Sequence, residues 1–176
     1  MKKALIITWE GYQDQEVLYP FYRLQEDNFQ VDIAAASSGE IHGILGTKIN
    51  ATKSISEIKV DEYDLLILPG GVKALEKVRQ EKKVMDFIKE WNEKGKIIGS
   101  VCHGAQLLVS AKIVKGRKIS AYYSIKDDIE NAGAVYIDAP FVADDNIISS
   151  PHYKHLGPWM KEVLRQFYLK NKQYNK

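Results

Sequence analysis

An internal disulfide is closed to this chain, because Cys102 is its single cysteine among 176 residues. Within one chain no internal disulfide or multi-cysteine metal site can form, and sulfur can serve only as a thiol. A dominant charge is also lacking: 25 Lys and Arg against 23 Asp and Glu leave +2 with neutral histidines. That balance argues against a protein whose main task is neutralising nucleic-acid phosphates. No apolar run approaches the ~18 residues of a spanning helix; stretches such as Leu65–Leu68 and Ile147–Ile148 are far shorter. Met1-Lys2-Lys3 leads into a brief apolar run before the polar Trp9-Glu10-Gly11-Tyr12-Gln13. The longer apolar centre of a secretory signal is missing, so a cytoplasmic protein with no membrane contact is expected. Glycine is unclustered in the first turn, where Trp9–Gln15 holds Gly11 alone, and this argues against dinucleotide binding. Without repeats, low-complexity stretches or linkers, one domain is expected over residues 1–169, followed by a polar tail at 170–176.

What is present is alternation. Ala4–Thr8 reads as a strand, and Val17, Phe21 and Leu24 then fall at the i, i+4 and i+7 spacing of a buried helix face. Val31–Ala36 and Asp64–Leu68 read as further strands, the latter ending at Pro69-Gly70-Gly71, while Glu40–Asn50 has the punctuation of a hairpin or loop. Val84–Trp91 carries a helical pattern closed by Gly95, Lys96–Val101 is an apolar strand, and a helix follows through Leu107 and Leu108. Ile119–Tyr122, Val135–Ile137, Phe141–Ala143 and Asn146–Ser149 supply more strands, with a helix over Ile125–Ala132. Leu156, Trp159, Met160, Val163, Leu164 and Phe167 trace a final amphipathic helix. Strands alternating with helices imply a largely parallel sheet covered on both faces, with sites beyond the carboxyl ends of strands. Three polar segments fall at such ends, Glu10–Glu16, Pro69–Glu76 and Cys102-His103-Gly104, and are expected to converge.

Gly99-Ser100-Val101-Cys102-His103-Gly104 places a thiol at a sharp strand-to-helix turn, the bend that lifts a nucleophile clear of a sheet. Glycines on either side let strand and helix approach closely. The N–H groups of the following helix are expected to favour thiolate and lower the thiol pKa below ~8.5. Lone cysteines are also commonly buried as small hydrophobes; the elbow and the adjacent histidine favour a nucleophile. His103 offers an imidazole as base or charge partner and a backbone N–H for an oxyanion, although sequence neighbours usually point apart. Gly70 and Gly71 offer backbone donors for the rest of an oxyanion hole. Glu16 follows the possible cap Asp14 and precedes Pro20, which cannot donate to the Glu16 carbonyl. A carboxyl held close to a thiolate is expected to have a raised pKa and to donate a hydrogen bond as the neutral acid, though a carboxylate simply placed near a helix start fits the spacing equally well.

These residues resemble the ThiJ/PfpI superfamily, within the class I glutamine amidotransferase-like fold, and specifically its PfpI-type intracellular proteases and amidases. The resemblance is carried by Glu16-Val17-Leu18-Tyr19-Pro20, Leu66-Ile67-Leu68-Pro69-Gly70-Gly71, Ser100 through Leu108, Gly116-Arg117 and Ile125 through Gly133. It implies an α/β protein, a flavodoxin-like three-layer α/β/α sandwich with a mostly parallel central sheet, and no metal or organic cofactor. It further implies a reactive Cys102 hydrogen-bonded to Glu16. Glu76 matches a glutamate that, from a neighbouring subunit, completes the residue matching His103. A homo-oligomer, dimer or hexamer, with its site near an interface is thereby expected. The implied substrates are small carbonyl compounds such as methylglyoxal, early glycation adducts, or peptides. A non-catalytic oxidative-stress sensor or chaperone using the same cysteine is the alternative. An amidotransferase ranks last, because His152-Tyr153-Lys154 lacks the expected late His-x-Glu. The chain departs from the family where Ser149-Ser150-Pro151-His152 replaces a Ser-Arg-x-Pro segment and where Gln13 replaces an acid.

Overall fold

The structure is a computed structural model that describes residues 1–174; Asn175 and Lys176 of the expected tail lie outside the described residues. Seven strands form one sheet in the order β10-β11-β7-β6-β1-β2-β5. β1 (Lys2–Ile7), β2 (Phe29–Ala35), β5 (Lys53–Ser54), β6 (Leu65–Leu68), β7 (Ile98–Val101) and β11 (Ile147–Ser150) run parallel. Only the edge strand β10 (Val142–Asp144) is antiparallel, paired with β11. A hairpin of β3 (Gly39–His42) and β4 (Lys48–Ala51) stands apart from the sheet.

Each central strand is apolar on both sides because both faces are covered. Along β1, Leu5 and Ile7 face one core while Ala4 and Ile6 face the other; along β6, Leu66 and Leu68 oppose Leu65 and Ile67. The first core is closed by α2 (Val72–Val78), α3 (Lys82–Glu93), α4 (Ala105–Ser110) and α5 (Lys126–Asn131). The second is closed mainly by α1 (Asp14–Glu26) and α6 (Leu156–Tyr174). Each core contains a fully buried tryptophan whose indole N–H is satisfied by a backbone carbonyl: Trp91 donates to Ile97 at 3.1 Å and Trp159 to Ile148 at 3.0 Å. Truncating either to alanine removes a contact worth ~3–5 kcal/mol.

The three-layer α/β/α sandwich matches the expected class, and most elements stand where the periodicity put them. α2 starts at Val72 directly after Gly71, so the polar segment Pro69–Glu76 turns straight into helix. Two elements differ. The segments around Ile119 and Val135 do not join the main sheet but pair as β8 (Lys118–Ile119) and β9 (Val135–Tyr136) in a small parallel ladder. α6 continues through Lys170 to Tyr174, where a tail was expected, and Lys170 lies 3.8 Å from the Asp145 carboxylate. Its polar sequence is compatible with helix because long charged side chains are good helix formers on an exposed face.

Candidate active site

The carboxyl ends of β1, β6 and β7 are neighbours in the sheet, and the segments that leave them meet. Glu16, fully buried in the first turn of α1, accepts the Gly70 N–H on Oε2 at 2.7 Å. Gly70 follows β6, and any side chain there would collide with this arrangement: a Cβ would lie 2.3 Å from Glu16 Oε2 and 3.3 Å from Cys102 Sγ. Glycine at 70 is what permits carboxyl and thiol to share one pocket. Gly104 has the same kind of role behind the elbow, where a Cβ would lie 2.1 Å from the Leu68 carbonyl.

Cys102 follows β7 with φ of 59°, a conformation that costs a non-glycine residue of order 1 kcal/mol and aims its side chain away from the strand. A 3-10 turn over Cys102–Gly104 leads into α4. Despite being sequence neighbours, the thiol and imidazole meet: Cys102 Sγ lies 3.3 Å from His103 Nδ1. The other ring nitrogen, Nε2, lies 3.4 Å from Ser124 Oγ. Tyr122 lies over the histidine with ring centroids 4.9 Å apart, and its N–H reaches the Cys102 carbonyl at 3.4 Å. Neither Ser124 nor this role of Tyr122 was indicated by spacing in the sequence; both come from the short link between β8 and α5.

Residues 2–166 match the DJ-1/PfpI family. The chain belongs to that family. It is 41% identical over 163 residues to a protein of Thermococcus kodakarensis named a deglycase, the match covering 93% of this chain and 98% of the relative. Deglycase PfpI of Pyrococcus furiosus is 38% identical over the same length and the same shares. A crystal structure from Anabaena variabilis, of a two-domain protein with DJ-1/ThiJ/PfpI-like and ferritin-like domains, superposes with a TM-score of 0.91 at 28% identity. That match covers 94% of this chain and 48% of the other, so the chain spans about half the length of that protein.

The electrostatics of the DJ-1/PfpI site differ from the simplest expectation. Burial pushes the Glu16 carboxyl up to about 7, with the Gly70 N–H and the Cys102 thiol pulling the other way. The raised carboxyl follows the sequence reading. The thiol does not: burial, and then the charge of Glu16, push Cys102 above the ordinary thiol range, and the His103 N–H offsets this only in part. The six-residue α4 supplies too little to overcome desolvation at a sulfur only 8% exposed. Glu16 and Cys102 therefore resist carrying two charges together, and the pair gives up one proton near neutrality far more readily than a second. Burial also holds His103 below the ordinary imidazole value, partly countered by Asp128.

Of the three backbone donors expected for an oxyanion, Gly70 is not free, because its N–H is committed to Glu16. His103 N–H bears on the sulfur, and among the described residues Gly71 N–H has no partner. Asp14 is not the cap of α1; Gln13 is, accepting the Glu16 N–H on its side chain at 3.0 Å. Glu76 is exposed on α2 and forms no ion pair among the described residues. Tyr12, in the turn after β1, is fully buried, whereas Tyr123 is largely exposed. Among the described residues no group of three or more His, Cys, Asp or Glu is disposed to hold a metal ion, and no helix is long and apolar enough to cross a membrane.

Proposed function

We propose that the protein is a cofactor-independent cysteine hydrolase that acts on early glycation adducts of small carbonyl compounds such as methylglyoxal. The observation that carries this reading is the buried Glu16 carboxyl, near-neutral in pKa, sharing a pocket with a thiol that is 3.3 Å from an imidazole. A carboxyl poised near the working pH is suited to pass protons in both directions. The adduct's amine leaves its hemiaminal carbon taking the hydroxyl proton, which restores an aldehyde; Cys102 Sγ then bonds to that aldehyde carbon as its own proton passes to Glu16 or His103 and the carbonyl π pair moves onto oxygen. Gly71 N–H is available to that oxygen, and His103 N–H bears on the sulfur that attacks. A proton then moves from the sulfur-bearing carbon to its neighbour through an enediolate, raising the first carbon to a thioester and reducing the ketone to an alcohol with no outside oxidant, and water hydrolyses the thioester to a 2-hydroxy acid and free thiol. The names of the similar deglycases favour this substrate class over peptides.

In the same reading the chain works as a homo-oligomer in which Glu76 of a second copy approaches His103; its exposure on α2 leaves it free to do so. The deciding experiment follows release of free amine from methylglyoxal-treated N-acetyl-lysine or N-acetyl-arginine, with a fluorogenic peptide beside it. Cys102→Ala is expected to lower turnover of the adducts by on the order of 10³-fold while the circular dichroism spectrum is retained. Equal turnover by Cys102→Ala overturns the cysteine mechanism, and turnover of the peptide alone moves the assignment to a protease.

A further inference from the structure

We infer that His152 is a positioning residue for the site: it braces Tyr122, and Tyr122 in turn keeps the His103 ring against the Cys102 sulfur. The inference rests on the reading of Cys102 and His103 as the working pair.

The topology brings His152 there. Ser150, the last residue of β11, is in register with Val101, the last of β7. Pro151-His152 and Cys102-His103 therefore leave adjacent strands side by side at the same end of the sheet. Tyr122 fills the space between the two histidines. Its ring lies 4.9 Å from His103 at an interplanar angle of 32°, and 5.9 Å from His152 at 27°. Three rings thus form a shallow stack from β11 to the nucleophile.

Such a brace has work to do. A histidine next in sequence to a cysteine has no intrinsic reason to turn its Nδ1 to the sulfur, and rotation of the half-buried ring would separate them. Among the described residues its other nitrogen has only the exposed Ser124 hydroxyl at 3.4 Å, too long to fix the ring alone. The outer end of the stack is itself anchored. His152 Nδ1 accepts the Lys154 N–H at 3.2 Å, capping a 3-10 turn, and its ring also packs against that of Tyr153, with centroids 3.9 Å apart. Burial, with the charges of Lys154 and His155, keeps this imidazole below its ordinary pKa, so it presents a neutral face to Tyr122. Contacts between such rings are favourable beyond the area they bury. That is enough to select one orientation of a ring that is otherwise loosely held.

The test is the rate of Cys102 alkylation by iodoacetamide as a function of pH, with Cys102→Ser as blank. His152→Ala is expected to slow alkylation near pH 7 by about 10-fold, the scale of a modest loss of alignment, and to lower kcat with KM unchanged. His152→Phe, which keeps a flat ring and removes both nitrogens, is expected to retain most of the rate. Tyr122→Ala is expected to reproduce the loss, and adding His152→Ala to it to cost nothing more, since both act through one stack. A wild-type profile in His152→Ala beside an altered one in His103→Ala overturns the inference but leaves the Cys102–His103 pair standing. Equal damage from His152→Phe and His152→Ala, together with a wild-type rate in His152→Asn, which keeps an acceptor for the Lys154 N–H but no ring, also overturns it, by assigning the effect to the capping nitrogen. An unchanged profile in His103→Ala removes the underlying pair and the inference with it.

Discussion

Asp14 and Glu16 stand two residues apart at the start of α1, both buried, yet they belong to opposite kinds of region. Asp14 faces the loop of the β3–β4 hairpin and is saturated there: it accepts from Leu45 N at 2.8 Å, from Thr47 N at 2.9 Å and from the Thr47 hydroxyl. Burial alone would raise its pKa, but these donors win and hold it below the ordinary carboxylate value. Glu16 faces the elbow and takes one good backbone hydrogen bond, while Oε1 is buried with no hydrogen-bond partner among the described residues. Burial wins there, and its pKa rises. The lesson is that burial does not itself make a carboxyl functional. The number of donors the fold supplies decides whether it is an anchor or a group able to exchange a proton.

Removing the ionisable character of Glu16 is the strongest way to break the comparison. Glu16→Gln keeps an oxygen for Gly70 N–H but cannot move a proton, and turnover is expected to fall by on the order of 10²-fold. The same variant is expected to change stability with the opposite sign. The folded protein holds a proton on Glu16 between its ordinary 4.5 and about 7, where the unfolded chain has released it. Stability contributed by this group therefore falls as pH rises through that window, by roughly 3 kcal/mol in all. Urea titrations at pH 5 and pH 8 should show that decline in the wild type and a flatter dependence in Glu16→Gln. A parallel slope in the two proteins would mean that Glu16 has already released its proton below that window, as the anchor Asp14 has.

Asp14→Ala tests the other side. It strips two backbone amides and a hydroxyl of a charged acceptor, for an expected loss of about 2–3 kcal/mol measured by denaturant melting at pH 7. Because its folded pKa is depressed, the wild-type contribution is present above the ordinary value of 3.8 and disappears as pH falls below it. Cys102 alkylation in Asp14→Ala should keep the wild-type pH midpoint, since the carboxyl serves the hairpin. A shifted midpoint would show that the two regions are coupled through α1.

The sequence made the elbow legible because its chemistry is local: Gly99 through Gly104 specify a tight strand-to-helix turn, and the buried runs of β1, β6 and β7 point three polar segments to one end of a sheet. Glu16 was legible for a related reason, as it follows β1 closely and precedes a helix proline. Asp14 was misread as a cap because its partners, Leu45 and Thr47, lie about 30 residues away across a hairpin whose orientation no spacing reveals. Gly70 was misassigned as an oxyanion donor on similar grounds, since a free N–H and one bound to a carboxyl look alike in sequence. The thiol was expected to be acidic from its place at a helix start. That expectation counted the dipole but not the desolvation created when Glu16 and Gly70 close around the sulfur.

The finest test concerns the residue that joins the two regions. Gln13 lies directly before Asp14, and its side chain caps α1 at the N–H of Glu16, so it fixes the backbone from which both carboxyls project. Gln13→Ala removes one cap and is expected to cost about 1 kcal/mol. If the anchor and the proton-exchanging group are set by their separate donors, that loss should appear in thermal melting while the Asp14 contacts and the alkylation midpoint of Cys102 stay as they are. If the midpoint moves as well, the cap has a second function: holding Glu16 at the depth where burial raises its pKa. Gln13→Asn, with a shorter reach, then separates the two cases, because a restored melt with a displaced midpoint isolates the depth of Glu16 from the integrity of the helix end.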